Sequence, residues 1–181
     1  MKLFKTTAII IPMILAITVT IGCAKTNEQA SAAKQLAHIT AESARVTFSA
    51  IKGVDGLDEQ QIKCIESIDV QPLEQKVQTI LEKDFTKDEL AKLNEVHSSD
   101  AARAFTNYGR DQIIVAFGGT IKEPAPKPTE AQVKQIMDFS NTELGQKYTK
   151  LNDSVAEGSM TSEVNKFIGA ALDKCHVDID M

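Results

Sequence analysis

The sequence is poor in aromatic residues. It contains no tryptophan, two tyrosines and seven phenylalanines, whereas alanine, lysine, glutamine, glutamate and leucine are abundant. A composition of this kind favours helices over sheets. We therefore expect an all-α protein.

The sequence lacks the usual signatures of enzymes and nucleotide-binding proteins. It has no Gly-Lys-Ser/Thr phosphate loop, no nucleophile elbow and no glycine-rich dinucleotide fingerprint, and Gly118-Gly119 is predicted to end a helix. His97, Ser98 and Asp100 are the residue types of a hydrolase triad. Residues this close in sequence cannot adopt triad geometry at a break between helices, so we interpret Ser98 and Asp100 as helix caps. We expect no catalytic residue and no enzymatic activity.

No block of basic residues is present. The formal net charge is −5, and removal of residues 1–22, which hold two lysines and no acid, takes it to −7. This charge disfavours nucleic acid as a partner. The tail from His176 to Met181 offers a histidine and two carboxylates, which is either a weak cation site or an exposed acidic tail. Because too few ligands converge, we favour the tail and expect no metal and no cofactor.

One long apolar run is present, from Ala8 to Ile21, with Lys2 and Lys5 before it and Gly22-Cys23 after it. This layout is typical of an export signal, and Pro12 and the marginal length disfavour an uncleaved membrane anchor. The end of the run resembles a bacterial lipobox. Cleavage before Cys23 would leave that cysteine carrying a palmitate-containing lipid; the alternative is ordinary secretory cleavage nearby.

The lipobox resemblance implies a location for the protein. It makes residues 1–22 a lipoprotein signal peptide and residues 23–30 a lipid anchor and tether, with residues 31–181 as one helical domain. Ala24 follows the cysteine, and by resemblance to Gram-negative lipoproteins a residue other than Asp favours transport to the outer membrane. We expect a chain anchored there and facing the periplasm.

Two further cysteines, Cys64 and Cys175, form an even pair. In an exported, oxidising compartment such a pair predicts a disulfide, here closing a loop of over a hundred residues and contributing ~4 kcal/mol by chain entropy. The alternative is two buried, reduced thiols.

Apolar periodicity and capping signals predict about seven helices. The first runs from Thr26 to about Ala50, the second from Leu57 to Ile68, and the third starts at Pro72. A later helix runs from Leu144 to Val155. The last one spans Val164 to Cys175, with Thr161 as its cap.

A shift of forty-three residues superposes two helical hairpins, near 86–117 and 129–156. It places Thr86 on Thr129, and in each copy the threonine is followed by an apolar stripe, a polar break and a second helix. This pattern indicates either a true repeat, which we favour, or two hairpins that align through amphipathic patterning alone. Two packed copies would share a core.

The connector 122–128, with three prolines, is interpreted as a spacer. The alternative is a segment that docks in a partner's aromatic groove.

The second copy carries a family resemblance. Thr129-Glu130, Phe139-Ser140-Asn141-Thr142 and Leu144-Gly145-Gln146-Lys147 resemble the motif of the bacterial domain-of-unknown-function 2059 family, over about residues 85–155. At the matching positions the first copy has Ala102-Arg103-Ala104. The resemblance implies an exported helical protein, and it supplies no activity and no catalytic residues.

Two functions follow from these patterns. The first is a non-enzymatic envelope protein, lipid-anchored and interacting with other envelope proteins. The second is a small-ligand or lipid-binding module with an apolar cavity between the hairpins, lined by Phe105, Tyr108, Phe139 and Tyr148. Gly145, one turn into a helix, indicates either close approach of a neighbouring helix or a ligand against its backbone.

Overall fold

The computed structural model describes residues 31–152 and 157–178. These residues form eight α-helices and no strand, which confirms the all-α class and gives one helix more than expected. The predicted signal segment, Cys23 and the tether lie outside the described residues. The helices are α1 (Ala32–Ile51), α2 (Glu59–Glu66), α3 (Gln71–Asp84), α4 (Lys87–His97), α5 (Asp100–Ala116), α6 (Glu130–Ser140), α7 (Glu143–Leu151) and α8 (Met160–Lys174).

Local capping sets most of the helix starts. Thr86 closes a capping box with Glu89, as its sequence predicts, and Thr129, predicted as a cap, closes a second box with Gln132. The cap between α4 and α5 is Ser99, whose hydroxyl accepts from the Ala102 amide. The prediction of Ser98 and Asp100 as caps is therefore wrong, because Ser98 ends α4 and Asp100 lies in the first turn of α5.

The last helix begins earlier than its apolar stripe suggests. Ser159 is its cap and accepts from the amide of Ser162. The predicted cap, Thr161, instead donates its hydroxyl to the carbonyl of Asn152. Thr161 is the second residue of the helix, and from this position its hydroxyl reaches the end of α7.

Helix α1 is the centre of the molecule and packs against α2, α3, α4, α5 and α8. Its inner face carries alanines at helical spacing, all at most 1% exposed: Ala33, Ala37, Ala41 and Ala44. Such small side chains let neighbouring helices approach closely. The main core gathers apolar residues of α1, α3, α4 and α8 around this face. The expected common core between two packed hairpins is therefore a minor part of the structure.

The two hairpins meet between α5 and α6, and α7 also contacts α4, where Tyr148 lies against His97. Ala101, Ala102 and Phe105 of α5 pack with Ile136 of α6 in a small separate cluster. Helix α7 turns Leu144, Tyr148 and Leu151 toward the main core instead. The hairpins keep the same forty-three-residue register in their helix starts and caps, but they pack in different surroundings.

Cys64 of α2 and Cys175, the residue after α8, form a disulfide, with 5.5 Å between their Cα atoms. This confirms the predicted pairing over the alternative of two reduced thiols. Beside it, the Gln61 side-chain amide donates to the carbonyl of His176 at 2.6 Å. The C-terminal end of α8 is thus held against α2. Within the described part of the chain, no helix is both long and apolar enough to cross a bilayer.

Candidate functional site

The residues predicted to line an apolar cavity are dispersed. Phe105 belongs to the small α5–α6 cluster, and Phe139 and Tyr148 pack against the main core. Tyr108 is half-buried on α5 and belongs to neither cluster. The structure therefore places these four side chains in different surroundings, because α5 faces α6 whereas α7 faces the core.

The cavity that does form near Tyr148 is small. It encloses about 50 Å³ between α1, α7 and α8. That volume accommodates a few water molecules and is far below that of a usual ligand site. Most of its lining residues carry polar groups, and two are apolar: Thr40, Ser43, Tyr148, Asn152, Thr161 and Asn165, with Met160 and Val164. It gives no support to the small-ligand alternative.

Gly145 is explained by close backbone approach. A Cβ atom at this position would overlap the carbonyl oxygen of Phe139 and lie 2.8 Å from the Cα of Ser140. The Gly145 amide also donates to the hydroxyl of Thr142, the cap of α7. The start of α7 therefore lies directly on the last turn of α6, so the neighbour-helix interpretation of the glycine is right.

His97 is a buried side chain without an acid partner. It is 6% exposed, and its ring lies edge-on to Tyr148 with 5.3 Å between ring centroids. Its Nδ1 atom has no hydrogen-bond partner among the described residues. Burial lowers the His97 pKa to about 4, and burial of the hydroxyl raises the Tyr148 pKa to about 12 despite a hydrogen bond from Asn152. Ser98 and Asp100 are exposed, so the three triad-like residues do not converge.

We expect acid to destabilise the domain through His97. Because the folded-state pKa of about 4 lies below the ordinary 6.5, the fold favours the neutral ring. This contribution to the free energy of unfolding is complete above pH 6.5 and is lost as the pH falls toward 4. The loss is about 3 kcal/mol. Urea unfolding at pH 7 and pH 4 measures it.

The matched control for this pH effect is His97→Phe, which keeps an aromatic ring against Tyr148 but cannot be protonated. Carboxylates also titrate between pH 7 and pH 4. The quantity to compare is therefore the loss in free energy of unfolding over this range in each of the two proteins. We expect the variant to lose about 3 kcal/mol less than the parent between pH 7 and pH 4. Equal losses would show that His97 has the same pKa in the folded and the unfolded chain.

Lys147, of the Gly-Gln-Lys element, joins the two hairpins. Its ammonium lies 2.9 and 3.0 Å from the two carboxylate oxygens of Glu89 and 4.7 Å above the ring of Phe85. Glu89 also accepts from the Thr86 amide in the capping box of α4. The hydrogen bond from Lys147, followed by that from Thr86, lowers the Glu89 pKa to about 2. Sequence reasoning missed this pair because its members are fifty-eight residues apart.

The proline-rich connector is held by one buried carboxylate. Asp111 of α5 is 3% exposed and accepts from the amide of Ala125 at 2.6 Å. Pro124 and Pro126 on either side have no N–H to donate. The connector is therefore pinned to α5 at the one amide available between these prolines, which agrees with its interpretation as a spacer.

A groove of about 540 Å³ opens between the C-terminal half of α1 and α2. Phe48 and Ile65 form its buried floor, and Val46 and Ile68 are half-buried on its walls. Charged side chains of both signs form the rim: Glu42, Arg45, Lys52, Glu66 and Asp69. Lys52 and Glu66 bridge the two helices at 2.9 Å. We call this feature the α1–α2 groove. Sequence reasoning missed it because its apolar residues match ordinary core stripes.

In the part of the chain that the structure describes, no group of three or more histidine, cysteine, aspartate or glutamate side chains is placed to hold a metal ion.

Comparison of the chain with protein families, curated proteins and solved structures finds no match. The resemblance seen in the Gly-Gln-Lys element therefore stays a prediction.

Proposed function

We propose that the protein is a lipid-anchored, non-enzymatic component of the bacterial cell envelope that binds another envelope protein through the α1–α2 groove. The groove is the observation that carries the proposal. It is large and open, with an apolar floor and a rim of charges of both signs. An apolar centre with a polar rim is the usual anatomy of a protein-binding surface.

The rim charges suit a protein partner. Arg45 lies 3.3 Å from Glu42, and Lys52 lies 2.9 Å from Glu66, so both cations already have acidic partners. Such a rim favours a partner with its own mixed charges over a simple anion or a nucleic acid. Rim charges of this kind set specificity, while the apolar walls supply most of the binding energy.

The predicted anchor places this groove within reach of other envelope proteins. A lipid on Cys23 precedes Ala32 by nine residues, a tether of about 30 Å when extended. The groove is formed by residues 42–52 of α1, in the half of that helix farther from the tether along the chain. These positions favour a domain that its tether holds near the membrane, with the binding groove at the end of α1 farther from the tether.

The anchor is tested by replacing its cysteine. We expect Cys23→Ser to move the protein from the membrane fraction to the soluble fraction of the cell envelope, because a single export signal without lipid provides no lasting attachment. Membrane retention of the variant would remove Cys23 as the anchor.

The groove is tested by a photo-reactive amino acid placed in living cells at Ser49, on the groove, or at Thr79, an exposed residue of similar size on α3. We expect one discrete cross-linked product from position 49 and none from position 79. Adding Val46→Glu, which puts a charge on the groove wall, should abolish the product while the thermal midpoint of unfolding stays unchanged. Equal cross-linking from both positions would refute the groove as the binding surface.

A further inference from the structure

The last turn of α5 is apolar on all sides. Residues 113–117 are two isoleucines, a valine, an alanine and a phenylalanine in succession, so they cover every direction around the helix. A helix that is apolar all round is normally buried in a core or in a membrane. Here the turn lies at the surface, which requires an explanation.

The structure leaves much of this turn accessible. Val115 is 56% exposed and Ala116 is exposed, whereas Ile113, Ile114 and Phe117 are half-buried. Gly118, with φ of +81°, ends the helix, and the Gly119 amide donates to the carbonyl of Ile114. Ile121, also half-buried, follows this turn. We call residues 113–117 together with Ile121 the apolar tip.

Basic residues flank the apolar tip along the sequence, with one exposed acid, Glu123, among them, in a chain that is acidic as a whole. Lys122 and Lys127 are exposed and take part in no ion pair of the described residues. Arg110, one turn before the tip, is 42% exposed and makes a long contact of 3.4 Å with Asp111, whose other oxygen is occupied by the Ala125 amide. Exposed apolar side chains flanked by exposed cations match the boundary between headgroups and acyl chains of an anionic membrane.

We infer that the apolar tip inserts into the headgroup–acyl boundary of an anionic phospholipid membrane, as a second contact beside the lipid anchor. The inference rests on the proposed function, because the anchor brings the domain within about 30 Å of the bilayer. A second contact on the same domain adds to membrane retention, because both contacts engage one membrane at a high effective concentration. This second contact also fixes which face of the domain points away from the membrane.

The test places a fluorescent label on the lipidated protein reconstituted into vesicles of phosphatidylethanolamine and phosphatidylglycerol that contain a lipid-borne quencher. One sample is labelled through Val115→Cys and the control through Met137→Cys, an apolar residue of α6 that is 59% exposed and lies outside the apolar tip. Because Cys64 and Cys175 are paired, the introduced thiol is the reactive one. We expect quenching severalfold greater at position 115 than at position 137.

Two results would overturn the inference. Equal quenching at both positions would show that the apolar tip does not enter the membrane. Concentration-dependent self-quenching of the label at position 115 in buffer without vesicles would show that a second copy of the chain covers the tip.

A second experiment, on the Cys23→Ser variant, separates the contribution of the apolar tip to membrane binding from that of the anchor. The partition coefficient of this unlipidated chain onto the same vesicles at low salt should fall about fivefold per lysine in Lys122→Gln and Lys127→Gln, the worth of one lysine near an anionic surface. Charge changes with no effect there would overturn the inference. Failure of the proposed anchor would be seen in the cell-fractionation experiment instead, where the membrane fraction would retain Cys23→Ser.

Discussion

Replacing Gly145 by alanine should destabilise the domain by about 3–5 kcal/mol, although alanine is the better helix former by about 1 kcal/mol. The added methyl would overlap the Phe139 carbonyl and lie 2.8 Å from the Cα of Ser140. These are backbone atoms, so no side chain can rotate away. The start of α7 must move off α6, which disturbs the contacts of Leu144 and Tyr148 with the core. Urea unfolding followed by circular dichroism measures the loss.

The chain provides matched controls for this substitution. Gly109 in α5 and Gly169 in α8 are helical glycines at which a Cβ would meet no atom within 4 Å. We expect Gly109→Ala and Gly169→Ala to raise the free energy of unfolding by about 0.5–1 kcal/mol each, through helix propensity alone. A Gly145→Ala protein as stable as these controls would show that α6 and α7 are farther apart than described.

Breaking the Cys64–Cys175 bond should lower the free energy of unfolding by about 4–5 kcal/mol. The two cysteines are 111 residues apart, so the bond removes much conformational freedom from the unfolded chain. A loss of this size is comparable with the whole stability of many domains, and we expect the reduced protein to be largely unfolded at elevated temperature. Urea unfolding of the oxidised and reduced protein measures the difference.

The double variant Cys64→Ala/Cys175→Ala separates the bond from the packing of the sulfur atoms. Cys175 is 4% exposed, so its truncation adds a cavity cost that reduction alone does not produce. The reduced protein should therefore lie between the oxidised protein and the double variant. Coincident unfolding curves for the oxidised and reduced protein would contradict a stabilising cross-link.

Helix starts were the most predictable part of the fold. Thr86 and Thr129 were identified as caps because the interaction joins a hydroxyl to an amide three residues later, within one short piece of sequence. The misplaced caps, Ser98, Asp100 and Thr161, lie within two residues of the true ones. A serine or threonine next to another capping residue offers the same chemistry, and only the backbone angles decide between them.

The candidate site was far less predictable. The α1–α2 groove and the buried His97 ring depend on which face of each helix turns inward. An apolar stripe in the sequence does not show which other helix it packs against. The aromatic residues proposed to share a cavity have similar apolar character but pack in different clusters. Lys147 and Glu89 were each visible as part of a local motif, whereas their contact was not, because it joins two hairpins.

The sequence by itself predicted the helical class, most helix starts and a Cys64–Cys175 disulfide, since composition and capping act locally and two cysteines remain once Cys23 is assigned to the expected lipid. Only the tertiary structure decided that α1, with its alanine face, is the centre of the core. The matching positions Ala102 and Gly145 show the reason. Both follow a capping hydroxyl by three residues, but only at Gly145 does the neighbouring backbone leave no room for a methyl group, and that distance is set by packing.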